Sequence, residues 1–271
     1  MRIAFVGGGN MATAILGGLL ARGMQSAEMM VIEPDAGARL RLFSQYGVKC
    51  VEAPVPDLAH AHTVIFAVKP QQMRQAAQDV GAVCADPLFV SIAAGIRLGD
   101  LSRWLGGKER LVRAMPNTPA LVHAGITGLH APPHVSEDDC NAAQQLLSAV
   151  GATVWFDKES DLDAVTAVSG SGPAYVFYAI EALEAAAREL GLPEGASRSL
   201  ALWTFVGAAK LAIERGVDPA SLRAQVTSKG GTTEAAIATM EGDALKQKIA
   251  TAVRAAAERA RAMGDAFGAS A

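Results

Sequence analysis

Ile3-Ala4-Phe5-Val6-Gly7-Gly8-Gly9-Asn10-Met11-Ala12 joins a short apolar, strand-like run directly to a glycine cluster and then to helix-forming residues. The spacing satisfies G-x-G-x-x-G/A. Gly7 serves the tight turn, Gly9 lets a pyrophosphate approach the backbone, and Ala12 is small enough for a helix to pack closely on a sheet. The helix opening at Asn10 would present unpaired amides and the positive end of its dipole to an anion. Glu33 follows about 20 residues later, at the end of the second apolar run, where a ribose-binding acid belongs. Together these features point to dinucleotide binding, a plain glycine-rich turn being the alternative. Glu33 would accept hydrogen bonds from an adenosine ribose and repel a 2′-phosphate, which favours NADH over NADPH. Arg39 and Arg41 stand close enough in sequence to turn toward such a phosphate, and Glu33 also suits a simple helix-leading turn, Glu33-Pro34-Asp35.

Outward from this stretch, β-branched runs alternate with helical patterns, the signature of βαβ units and a parallel sheet. Strands are expected at residues 3–6, 29–32, 63–68, 88–92 and 111–113, with helices at 11–22, 36–46, 71–83 and 98–105 between them. A further strand, helix and strand are expected at 125–129, 137–150 and 153–156, with Ser136 and Asp139 at capping-box spacing. Two later strand ends carry ligand-type signals. Ala67-Val68-Lys69-Pro70 closes one strand, and Lys69 either reaches a ligand or is a solvated lysine before a proline. Ser91-Ile92-Ala93-Ala94-Gly95 closes the next with small residues, against which a flat nicotinamide can lie or a neighbour can pack.

Near Asp157–Asp161 the strand signals stop and alanine-rich amphipathic patterns begin. Helices are expected at 173–190, 194–215, 219–226, 232–240 and 243–263, the first with Val176, Ile180, Leu183, Ala187 and Leu190 on one face. So much apolar surface on so few helices calls for partner chains. Within this half, Thr227-Ser228-Lys229-Gly230-Gly231-Thr232-Thr233 leads into a helix, a second place able to hold a small anion. Ser228, Thr232 and Thr233 can serve it or can simply cap the helix.

The 271 residues allow one large domain or two ordinary ones, and a net charge of -3 gives no sign of a nucleic-acid or membrane-surface partner. Cys50, Cys84 and Cys140 show no CxxC spacing, which argues against a disulfide framework or zinc site and fits a reducing cytoplasm. No signal peptide is expected at the N-terminus. His60 and His62 lack a third ligand, so no metal site is expected. Ser169 and Ser171 read as helix N-caps, and Tyr175 as a core aromatic or a hydroxyl near a cleft.

Taken together, GGGNMA, AVKP, SIAAG, RAMPNTP, SGSGPAY and TSKGGTT occur in an order and approximate spacing that closely resemble pyrroline-5-carboxylate reductases, over almost the full length. Lys229 stands where many members have proline. The resemblance implies an α/β plus all-α protein: a Rossmann-type doubly wound parallel sheet at 1–158, then an all-helical dimerisation and substrate-binding domain at 159–271. It also implies homodimers, in larger rings in some members, and a site completed by the same or the neighbouring subunit. NADPH or NADH contacts carry over to Gly7, Gly9, Asn10, Met11, Ala12, Ala67, Val68, Lys69, Pro70, Ala93 and Ala94. Contacts to the cyclic imine carry over to Val226, Ser228, Gly230, Gly231, Thr232 and Thr233, with Thr233 beside the ring nitrogen as the catalytic candidate. A dehydrogenase of small hydroxy or keto acids would want a lysine or histidine acid-base on the first long helix, which residues 169–187 lack. A non-catalytic dinucleotide sensor would have no use for a second anion site.

Overall fold

The computed structural model describes residues 2–269; Met1, Ser270 and Ala271, the outermost residues of the two expected domains, lie outside the described residues. Strand β1 (Ile3–Val6) sends Ile3 and Phe5 into one buried cluster and Ala4 and Val6 into another. Alternation of this kind, apolar on both sides, makes a strand covered by helices on both faces. β2 (Met29–Ile32) is likewise buried throughout, whereas β3 (Lys49–Val51) is a short strand at the edge. β4 (Thr63–Phe66) and β5 (Leu88–Ser91) return to full burial, followed by β6 (Leu111–Met115), β7 (Gly125–His130) and β8 (Gly151–Trp155).

These strands form one sheet in the order β3-β2-β1-β4-β5-β6-β7-β8. The first six are parallel; β7 runs antiparallel to β6, and β8 parallel to β7. Helices α1 (Asn10–Ala21) and α5 (Glu137–Ser148) cover one face through Ile15, Leu16, Leu146 and Leu147; α2 (Ala36–Tyr46) adds Leu42. On the other face, α3 (Met73–Gly81) and α4 (Leu98–Trp104) contribute Met73, Val80, Leu101 and Trp104, beside the stacked rings of Phe66 and Phe89, 6.1 Å apart. The expected strands are thus present. β3 went unanticipated, because three residues, one of them an exposed lysine, offer too little alternation to read.

After β8, the short helix α6 (Asp161–Val165) runs into a π turn at Thr166–Gly170. Ser169 does not cap the next helix: its hydroxyl donates to the Val165 carbonyl at 3.0 Å. Arg113, 3% exposed, is neutralised by Glu159 at 3.2 Å and Asp163 at 3.4 Å, and Glu159 also accepts from the Leu98 amide at 2.7 Å. A buried guanidinium would be costly without such partners.

The chain divides into two compact units, one running to Ser171 and resuming at Ala256, the other Gly172–Ala255. In the second, α7 (Gly172–Glu189) and α8 (Glu194–Arg215) pack on each other, followed by α9 (Pro219–Gln225), α10 (Thr232–Gly242) and the first part of α11 (Leu245–Ala269). Apolar side chains stay largely outside in this unit: Tyr178 is 76% exposed, Trp203 71% and Ile213 81%. Helix α11 runs beyond the expected stop at 263, through Gly264 and Gly268, which belong to the first unit and pass close to Gly95 and Asp100.

At α5 the capping box is half built. Ser136 accepts from the Asp139 amide at 3.1 Å, but the Asp139 carboxylate takes both ends of Arg110, Nε at 3.0 Å and Nη2 at 2.7 Å. Arg110 is the main cause holding the Asp139 carboxyl below its ordinary range. A depressed folded pKa means the stabilisation is fully present above the unfolded carboxyl's pKa, about 3.9, and is lost as pH falls through the folded value. Asp139→Asn should therefore flatten the acid limb of stability and cost about 1–2 kcal/mol near neutrality, since Arg110 is partly solvated. Urea denaturation of both proteins across the acid range checks this.

Candidate functional site

The parallel strands β1, β2, β4 and β5 end level with one another, Val6 beside Ile32 and Phe66, and Phe66 beside Ser91. The residues that follow each strand therefore gather at one edge of the sheet. At β1 and β4 the chain order reverses, leaving the crevice where open α/β sheets take ligands. Gly7 sits in it with φ +96°, its amide donating to the Ile32 carbonyl at 2.8 Å. A Cβ there would lie 2.8 Å from the Ala67 carbonyl oxygen and 3.0 Å from Val68 Cγ1, so only glycine fits. Gly9 differs: it is the residue before α1, has no side-chain cap, and a Cβ on it would meet nothing within 4 Å. Open space in front of unpaired helix-start amides is a cradle of the kind a pyrophosphate needs.

Asn10 and Met11 border this space, while Ala12 is 2% exposed beneath it. Ala67, Val68, Lys69 and Pro70 form the turn beyond β4, with Lys69 exposed, and Ala93 and Ala94 follow β5, Ala93 buried. Glu33 takes up a specific post: one carboxylate oxygen accepts from the Gly8 amide at 2.8 Å and the other from the Asp35 amide at 2.9 Å. Arg39 bonds the carbonyls of Glu33 and Pro34 at 2.8 and 2.6 Å and pairs with Glu52 at 3.4 Å. These contacts, which spacing alone does not reveal, tie the glycine loop to the turn after β2.

Within the first unit, RAMPNTP meets Ser169 and Gly170, the start of SGSGPAY. Asn117 Nδ2 donates to the Ser169 carbonyl at 3.1 Å, and Asn117 Oδ1 accepts from the Ile126 amide at 2.9 Å. A Cβ on Gly170 would lie 2.6 Å from Met115 Cε, so that glycine admits the methionine.

The glycine turn of the second unit is described separately. Gly231 precedes α10 without a side-chain cap, so neither Ser228 nor a threonine closes the helix at that position. The Gly230 amide donates to Glu234 Oε2 at 2.7 Å, and the Gly231 amide to the Ser228 carbonyl at 3.0 Å. The amides of Thr232 and Thr233, in the first turn, have no intrahelical acceptor. Thr233 is half-buried, Thr232 and Ser228 are exposed, and Val226 is 63% exposed. Glu234 is a competitor for this turn that its helix-forming context concealed.

All three cysteines are free thiols; burial pushes Cys84 up to about 11 and raises Cys50 and Cys140 as well, so none is poised as a thiolate.

Fold and site together define a Rossmann-type oxidoreductase with an all-helical second part. Residues 159–263 match the family model for pyrroline-5-carboxylate reductase dimerisation, and residues 2–95 match that for NADP oxidoreductase, coenzyme F420-dependent. The pyrroline-5-carboxylate reductase of Pseudomonas aeruginosa is 43% identical over 98% of each chain. The chain belongs to the pyrroline-5-carboxylate reductase family. Among solved structures, the reductase from Coxiella burnetii is 38% identical with a TM-score of 0.91, covering 97% of this chain and 98% of its own. The pyrroline carboxylate reductase from Plasmodium falciparum, determined with NADP bound, is 26% identical with a TM-score of 0.85 over 97% and 98%.

The two glycines of the first turn should separate stability from binding. Gly7→Ala forces both a contact with backbone and a strained φ and should cost roughly 2–4 kcal/mol, whereas Gly9→Ala should stay within about 0.5 kcal/mol. Gly9→Val should fold yet lose nucleotide affinity. Denaturant midpoints and titration with NADH and NADPH measure the two effects independently.

Proposed function

We propose that this protein reduces the cyclic imine 1-pyrroline-5-carboxylate to L-proline with NADH or NADPH, the last step of proline biosynthesis. The observation that carries the reading is the 43% identity to the Pseudomonas aeruginosa enzyme over 98% of both chains. Gly7, Gly9, Asn10, Met11 and Ala12 hold the dinucleotide, with α1 directed at its pyrophosphate. The turn Ala67–Pro70 and the small residues Ala93 and Ala94 border its remaining length. When bound, the reduced nicotinamide supplies the hydride, from its C4 to C5 of the imine.

A protonated imine is already electrophilic, so the chain's task is to align and hold rather than to pass protons. In this reading the substrate carboxylate sits at the amides of Thr232 and Thr233 beside the Ser228 hydroxyl, with Val226, Gly230 and Gly231 shaping the turn. Glu234 must release the Gly230 amide before that donor can join. The imine N–H donates to the Thr233 hydroxyl oxygen, and the amine of the product keeps the same neighbour.

Homo-oligomeric assembly is supported by the dimerisation-family match and by the exposed apolar side chains of residues 172–255. We take the assembly to be a homodimer, with a dinucleotide-binding domain at 1–158 and a dimerisation and substrate-binding domain at 159–271, of which 159–171 and the residues from 256 on belong to the first compact unit, working in the cytoplasm without a nucleic-acid partner. Among the described residues, no helix is long and apolar enough to cross a membrane.

Oxidation of NADH and NADPH with racemic pyrroline-5-carboxylate tests the activity; no turnover by folded protein that binds nucleotide would overturn it. Thr233→Ala should lower the rate about 10- to 100-fold, the worth of one hydrogen bond to a charged group. A loss above roughly a thousandfold would instead mean a general acid. Glu33→Gln should shift the NADPH-to-NADH preference toward NADPH by roughly tenfold, as expected for removing about one repulsive contact. A monomeric mass by light scattering would refute the assembly.

A further inference from the structure

Helix α11 ends against the turn that follows β5. Gly95 there has φ +76° and is buried, and a Cβ on it would lie 3.3 Å from both Cδ2 and Cε2 of Phe267 and 3.5 Å from the Gly264 nitrogen. A Cβ on Gly264 would in turn lie 3.4 Å from the Gly95 carbonyl oxygen and from Arg97 Nε. One turn further along, Gly268 passes Asp100 so closely that its Cβ would meet Oδ2 at 2.7 Å. Gly264 and Gly268 thus share one face of α11, Gly264 passing the backbone of Gly95 and Gly268 the carboxylate of Asp100. Arg97 closes the contact with Asp265 at 2.6 Å, and the Phe267 ring packs against the cluster that holds Ala93, Ile96 and Leu98.

We propose that the last turns of α11, through Gly264, Asp265 and Phe267, are positioning residues for the Ala93-Ala94-Gly95 turn and thereby for the nicotinamide end of the dinucleotide. The inference rests on the reading of Ala93 and Ala94 as nicotinamide contacts. Two observations favour positioning over simple helix docking. Helix propensity disfavours Gly264 and Gly268, yet the helix continues through both, so the contact itself sustains it. Phe267 also abuts Gly95 itself, one residue from Ala94, and a left-handed backbone at Gly95 lets the turn fold under the ring. Both partners of the Arg97–Asp265 pair are solvated, so it sets register more than it adds stability.

The predicted consequence is local. Removing the ring leaves the adenosine half of the site, at β1 and β2, untouched while the nicotinamide half loosens. A displacement on the order of 1 Å at the reacting end is enough to cost up to roughly a hundredfold in rate. Gly264→Ala, whose added Cβ stays at 3.4 Å from its nearest neighbours, should be tolerated, whereas Gly264→Leu should lift the helix from the turn.

The test compares wild type, Phe267→Ala, Gly264→Ala and Gly264→Leu in the full-length protein. Affinity is measured for NADH and NADPH and, separately, for ADP-ribose and 2′-phospho-ADP-ribose. The lifetime of bound reduced-nicotinamide fluorescence reports how firmly that end is held, whether or not the imine is turned over, and kcat is recorded alongside. Phe267→Ala and Gly264→Leu should shorten the nicotinamide lifetime and lower kcat about tenfold or more, with ADP-ribose affinities within about twofold of wild type and Gly264→Ala near normal. Unchanged lifetimes in both altered proteins, or parallel loss of ADP-ribose affinity, would overturn the inference. A wild type that orders the nicotinamide but does not reduce pyrroline-5-carboxylate would refute the proposed function and leave this inference standing. A wild type that binds ADP-ribose but leaves the nicotinamide as mobile as in solution would refute the inference.

Discussion

Between the place a Gly7 Cβ would occupy and the carbonyl oxygen of Ala67 there is 2.8 Å, less than any side chain tolerates. That close passage brings the loop after β1 over the end of β4, at the point where the strand order reverses, and leads into α1, which packs on one face of the sheet. Level strand ends at β2 and β5 then deliver Glu33 and Ala93 to the same edge. The remaining parts act as braces: Glu33 holds the amides of Gly8 and Asp35, and Arg39 holds the carbonyls beside it. A ligand site built in this way depends on backbone positions, with few side chains that need tuning. This suits a reaction whose chemistry is carried by the cofactor.

The second unit obeys another constraint. Its helices are regular and well separated by turn residues, but almost nothing in them is buried; in α8 only Ser197 and Ala201 are. An apolar helix surface of this extent is unfavourable in water, so its natural complement is a like surface on another chain. The two units therefore draw their stability from different sources, the first from a two-sided core within the chain, the second largely from association.

Much of this architecture was legible in the residues. The strands β1, β2, β4 and β5 declare themselves through unbroken apolar runs, and the helices through three- and four-residue steps. What escaped was of two kinds. β3 and α6 are too short for a period to show, and the end of α11 is written in glycines, which argue against helix unless the surface they approach is known. The candidate site divides along similar lines. Gly7 takes the tight turn its spacing indicated and Gly9 leaves open space before α1, yet the bonds of Glu33 to Gly8 and of Glu234 to the Gly230 amide depend on side-chain geometry that no motif encodes.

The return of α11 to the first unit has a bearing on how the chain comes into being. Arg97 and Asp265 are 168 residues apart, and the whole of the helical unit lies between them. Closing so distant a pair costs entropy that local contacts cannot offset early. In synthesis from the N-terminus the strands come first, and the contact of Phe267 with Gly95 can form only once the residues between them have been made. The dinucleotide half of the protein therefore reaches its final form only after the helical half has been synthesised.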